Sequence, residues 1–91
     1  MDRFLEMRAF VAVVDAGSFV RAADALGVSK TAVSRLVGDL ESRLGTRLLH
    51  RTTRRLSLTP EGEVFQERCR SLLDGVEAAE AELSTRSGEA V

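Results

Sequence analysis

Cysteine is almost absent from this 91-residue chain. Cys69 stands alone, so neither an internal disulfide nor a multi-cysteine metal site is available. Histidine also occurs once, as His50. No glycine-rich phosphate loop and no metal-ligand spacing is present, so no cofactor or metal is expected. Apolar runs stay far short of the ~18 residues needed to cross a bilayer, and no charged-then-apolar signal segment opens the chain. These absences predict a reduced cytoplasmic protein without membrane association. They also leave little for catalysis. His50 and Cys69 fall in different predicted elements; His50 reads as a hydrogen-bonding strand residue and Cys69 as a small hydrophobe in a helix. Glu63 and Glu67, one helical turn apart, read as solvated, and an enzyme is not expected.

What is present is ordinary in amount but uneven in distribution. Hydrophobic content of 44% and charged content of 30% suit one small globular domain. The net charge of -1 conceals a split. Residues 1–59 carry ten Arg or Lys against six Asp or Glu, while residues 60–91 carry three against eight. A basic surface is therefore confined to the first part of the chain.

The apolar spacing divides the chain into elements. Phe4, Met7, Phe10, Val11 and Val14 predict a helix from about Arg3 to Ala16, stopped by Gly17, although Ala9 to Val14 alone could be a buried strand. Such an all-round apolar helix needs partners on more than one side. Ser18 caps a second helix, with Phe19, Ala22, Ala23 and Leu26 on its buried face and Gly27 as its end. Ser29 caps a third, from about Lys30 to Leu44 with Gly45 as its stop. Two helices so briefly linked, with Ala22 and Ala23 allowing close approach, predict a helix-turn-helix. Leu48–Arg51 and Arg55–Leu58 then alternate as two short strands, anchored by Leu49, Leu56 and Leu58. Thr59-Pro60 opens a last helix running to about Thr85. Along it, Phe65, Cys69, Leu72, Val76, Ala79 and Leu83 form a heptad seam, read as a dimer interface or as a stripe folding back on its own domain. Gly62 and Gly75 lie off the seam and weaken the helix slightly.

Two features carry function. At about 100° per residue, Val33, Leu36, Val37, Leu40 and Leu44 make the core face of the third helix, and Lys30, Thr31, Ser34, Arg35 and Gly38 make a separate arc free of acidic residues. The second helix of such a motif sets its first residues against base edges of DNA. Arg35 and Lys30 can donate to guanine and Thr31 can offer its methyl to thymine, while Ser34 permits close approach. An ordinary solvated face is the alternative. The second feature is Arg51-Thr52-Thr53-Arg54-Arg55. Basic residues on a hairpin can simply keep strand edges soluble. Beside a helix-turn-helix they read as a wing, able to place an arginine in a narrow minor groove and to contact phosphates.

Gly17-Ser18-Phe19, Ala22-Ala23, Leu26, Ser29, Ala32-Val33-Ser34, Leu40-Glu41, Leu44-Gly45, Arg51 and Leu58-Thr59-Pro60-Glu61-Gly62 together resemble the N-terminal domain of LysR-type transcriptional regulators. The resemblance covers about residues 4 to 85. It implies a mostly α fold: a winged helix-turn-helix (three helices and a two-stranded wing) over residues 1–59, a linker or dimerisation helix over 60–86, and a frayed tail over 87–91. It implies double-stranded DNA with a pseudo-palindromic operator as partner, and a homodimer through antiparallel linker helices, with a tetramer open to the full-length protein. Base contacts are implied for Lys30, Thr31, Ser34 and Arg35, and a minor-groove contact for Arg54. Phosphate contacts are implied near Ser18, Arg21, Arg51 and Thr52. Ser29, Thr53 and Arg55 lie close enough on the same elements to join them. Many relatives carry glutamine and proline where Lys30 and Thr31 stand, which implies a different operator preference. The family's larger effector-binding domain is not contained in these 91 residues. A winged-helix module that dimerises or binds protein without DNA is the alternative function.

Overall fold

The computed structural model describes residues 2–52 and 55–88. Four helices and one hairpin follow in the order α1 (Arg3–Ala16), α2 (Phe19–Leu26), α3 (Lys30–Leu44), β1 (Leu49–Arg51), β2 (Leu56–Leu58) and α4 (Pro60–Gly88). Ala9 to Val14 is helical, not a strand. Each short helix begins with a side-chain oxygen accepting from a first-turn amide: Asp2 from Leu5 N at 3.1 Å, Ser18 from Arg21 N at 3.1 Å and Ser29 from Ala32 N at 3.0 Å. Gly27 and Gly45 end α2 and α3 at φ of 70° and 68°, where a side chain would be strained.

The core is built around α1, which packs against α2, α3 and α4. This satisfies the need of its all-round apolar surface for several partners. Phe10, Val13, Ala22, Val33, Val37, Leu40 and Leu48 are fully buried in one cluster. Leu36 is half-buried, and Leu44, expected inside, is exposed because α3 runs past the core there. One ion pair crosses this core: Arg43 Nη2 donates to Glu6 Oε1 at 2.5 Å, with Glu6 buried. It ties the start of α1 to the end of α3.

β1 and β2 pair antiparallel, with Leu49 opposite Leu58, His50 opposite Ser57 and Arg51 opposite Leu56. The hairpin is fastened at its base by Thr59. Its N–H donates to the Leu48 carbonyl at 3.0 Å, its hydroxyl donates to the Arg47 carbonyl at 2.7 Å, and the same oxygen accepts from Gly62 N at 2.9 Å. One residue thus caps α4 and closes the wing.

The first part of α4 lies on α1, with Phe65 and Phe10 ring centroids 6.0 Å apart. Cys69 is fully buried there, and desolvation pushes its thiol up to about 11. These placements correct the expected seam. Phe65 and Cys69 belong to the chain's own core, because the first half of α4 has to cover α1. Leu72, Val76, Ala79 and Leu83 remain exposed, and so does Val64, which lay outside the expected seam. The helix also continues two residues beyond the expected boundary, to Gly88.

Candidate nucleic-acid interface

Lys30, Thr31, Ser34 and Arg35 are all exposed on α3, while Val33 and Val37 are fully buried on the opposite side. The helix presents the arc that its periodicity predicts. Ser29 sits at its N-cap, so the unpaired amides of the first turn and this arc point into the same space. Asp39 is exposed further along α3, and Asp24 is exposed on α2.

Ser18 and Ser29 use a hydroxyl lone pair to cap their helices and keep the hydroxyl proton. Each therefore retains a donor for an anionic oxygen. Arg21, exposed on the first turn of α2, adds a positive charge beside Ser18.

The wing is held to α3 by a carboxylate that the sequence reading overlooked. Glu41 is buried, and its Oε2 accepts from Leu48 N at 2.8 Å and Leu49 N at 3.2 Å. Its Oε1 accepts from Arg51 Nη2 at 2.9 Å and, more weakly, from Arg47 Nη1 at 3.4 Å. Burial alone would raise its pKa. The two backbone amides, then the charge and hydrogen bond of Arg51, outweigh that and hold the carboxyl below its ordinary value. Leu40-Glu41 was part of the family resemblance, but its tie to residues seven and eight positions later had no local signal.

Two residues expected to contact phosphate, Arg51 and Thr52, also make bonds within the chain. The Arg51 guanidinium pairs with Glu41 and also lies over the Phe19 ring, 5.4 Å from its centroid. It pins the wing base to the start of α2, leaving only its remaining donors for a phosphate. Thr52 closes the hairpin: its hydroxyl donates to the Arg55 carbonyl at 2.9 Å and accepts from Arg55 N at 2.9 Å. Its proton is thereby committed internally. Arg55 is exposed, whereas Thr53 and Arg54 lie outside the described residues.

Among the described residues, no cluster of three or more His, Cys, Asp or Glu could hold a metal, and no helix is long and apolar enough to cross a membrane.

A tri-helical unit whose third helix is exposed along one face of its leading half, followed by a two-stranded wing, defines a winged helix-turn-helix protein. Residues 4–63 match the family described as "Bacterial regulatory helix-turn-helix protein, lysR family", and the chain belongs to that family. It is 55% identical over 83 residues to an HTH-type transcriptional repressor of Pseudomonas aeruginosa (strain UCBPP-PA14), covering 91% of this chain and 26% of that protein. It is 50% identical over 78 residues to the HTH-type transcriptional regulator CrgA of Neisseria meningitidis serogroup C (strain 8013), covering 86% of this chain and 26% of that one. The fold matches the DNA-binding domain of BenM in complex with catB site 1 DNA at a TM-score of 0.89 and 36% identity, covering 96% of this chain and 97% of that one. The chain spans about a quarter of the length of the curated relatives it matches.

Proposed function

We propose that this chain is the sequence-specific DNA-binding part of a LysR-type transcriptional regulator, acting as a homodimer on a pseudo-palindromic operator in the bacterial cytoplasm. The observation that carries the reading is the exposed, acid-free arc Lys30, Thr31, Ser34 and Arg35 on the second helix of a helix-turn-helix. Likeness to a DNA-binding domain solved on its DNA supports it.

In this reading the arc enters the major groove. Arg35 and Lys30 donate to guanine edges, Thr31 meets a thymine methyl and Ser34 allows close approach. Ser18, Ser29, Arg21 and Arg55 hold the phosphates with the free donors described above, Thr53 joins them from the wing, and Arg54 reaches the minor groove. Arg51 and Thr52 fix the base of the wing and stand beside the same phosphates. The chain's own residues supply recognition, with no chemical step and no cofactor.

Selection of bound duplexes from a random library, at stated salt, tests the reading. Enriched sequences should contain two related half-sites about one helical turn, or a multiple of it, apart. Arg35→Ala should weaken binding by about 1–3 kcal/mol and relax preference at one base pair. Recovery of unenriched sequences would favour the protein-interaction module instead.

A further inference from the structure

The basic side of the molecule does not end at the base-reading arc. Where α3 gives way to the wing, a cleft of about 430 Å³ is lined by Gly38, Glu41, Ser42, Thr46, Arg47 and Arg51. Two guanidinium groups share one carboxylate there. Glu41 Oε2 is filled by the Leu48 and Leu49 amides, and its Oε1 takes Arg51 at 2.9 Å. Arg47 reaches the same Oε1 only at 3.4 Å, and its side chain remains 68% exposed. The Arg47 charge is therefore surplus to the neutralisation of Glu41. Asp39, next to Gly38 in sequence, is not among the residues that line the cleft.

Gly38 marks the same place independently. It lies inside α3 without a positive φ, and a Cβ there would meet nothing within 4 Å. Neither backbone conformation nor packing within the chain calls for glycine, which weakens a helix interior relative to alanine. A bare Cα here leaves room for something outside the chain. At about 100° per residue, Arg35, Gly38 and Ser42 fall within an arc of roughly 60°, so the cleft continues the base-reading face. Ser42 stands about 10 Å beyond Arg35 at ~1.5 Å per residue, and the major groove is ~12 Å wide with a phosphate backbone along each edge. A helix with Arg35 on base edges thus carries Ser42 and Arg47 to the level of one of those backbones.

We propose that this cleft binds one backbone phosphate of the same DNA, with Arg47 supplying the charge, the Ser42 hydroxyl a hydrogen bond and Gly38 the room. The site rests on the DNA reading above and adds to it an anchor that carries no base preference. Arg47 gives up little in turning to the phosphate, because a long, exposed pairing contributes little. Glu41 keeps Arg51 and both amides when it does so. Arg51 then stays at the wing base while its neighbour grips the strand.

Fluorescence anisotropy on a duplex from the selection above, across a potassium chloride series, tests the site. Arg47→Gln should lower the slope of log affinity against log salt by about 0.9, the share of one phosphate. At one moderate salt concentration its affinity should fall about threefold to tenfold, with the ranking of operator variants and the urea midpoint unchanged. Arg47→Lys should keep the slope. Gly38→Leu, which fills the cleft with a good helix former, should raise the urea midpoint and yet weaken binding at least about threefold. A methylphosphonate placed at each backbone position in turn should reveal one position that weakens wild type and leaves Arg47→Gln unaffected. An unchanged slope in Arg47→Gln, wild-type binding by Gly38→Leu, or no such methylphosphonate position would overturn the inference and leave the operator reading standing. Wild type without salt-dependent binding would remove both. A urea midpoint raised by inorganic phosphate at constant ionic strength and lost in Arg47→Gln, beside an unchanged slope, would make this a free-anion site and overturn the DNA anchor.

Discussion

Replacing Gly62 by alanine tests the junction between wing and linker helix, because helix propensity and packing predict opposite signs. Both Gly62 and Gly75 lie inside α4, where alanine in place of glycine is worth about 1 kcal/mol of helix stability. At Gly75 a Cβ would meet nothing within 4 Å, so Gly75→Ala should stabilise by about 0.5–1 kcal/mol. At Gly62 the Cβ would sit 2.0 Å from the Leu48 carbonyl oxygen and 2.9 Å from its carbon. These are backbone atoms, and the oxygen already accepts from Thr59 N. To make room, α4 or β1 must move by about an ångström, which disturbs that bond and the Thr59 cap together. Overpacking costs about 1–3 kcal/mol and a lost buried hydrogen bond about 1–3 kcal/mol. Set against the propensity gain of about 1 kcal/mol, the net loss should be about 3 kcal/mol. Urea unfolding followed by helical circular dichroism, at one fixed protomer concentration, measures both variants. Should Gly62→Ala prove as stable as Gly75→Ala, the close approach at Leu48 would not constrain the fold.

Glu41→Ala leaves the Leu48 and Leu49 amides and the Arg51 charge without their partner, and should cost about 3–5 kcal/mol in the same urea assay; a loss below about 1 kcal/mol would mean that the wing holds without this carboxylate. Acid should act through the same group. Because its folded pKa is depressed, its contribution is complete above the unfolded value of about 4.3 and disappears as pH falls through the folded one. Glu41→Gln should therefore flatten the stability profile between about pH 5 and the folded pKa, and parallel acid limbs in wild type and variant would exclude it. For the wing tip, Arg54→Ala should weaken binding most on operators flanked by A·T pairs. Equal weakening on G·C-flanked operators, read by fluorescence anisotropy, would remove the minor-groove role.

Sequence legibility followed the range of the interactions. Ser18, Ser29, Gly27 and Gly45 act through atoms three or four residues away, so their capping roles could be read directly. The arc Lys30 to Arg35 was legible for the same reason: one helix fixes its geometry. Glu6 and Arg43 lie 37 residues apart, and neither carries a local mark of its burial. Glu41 looked like one more charge on a helix until the chain returned Leu48, Leu49 and Arg51 to it. Helical period also cannot say what covers a stripe, which is why Phe65 and Cys69 were grouped with Leu72 and Leu83 although different surfaces meet them. Thr52 shows the same limit in a turn, where a hydroxyl expected to contact phosphate also closes the hairpin.

The Thr59 junction makes α4 an axle for the winged unit, not a tether. Its first turns are seated by an amide, a hydroxyl and a bare Cα against Arg47 and Leu48, and among the described residues Leu73 is the last to pack on the buried cluster. Val76, Glu77 and Glu80 still line a groove with Phe4, Arg8 and Val11 of α1, and the eight residues from Ala81 to Gly88 run on for about 12 Å at ~1.5 Å per residue. The far end of α4 is therefore joined to the body that carries Ser29 and Arg35 by one continuous helix.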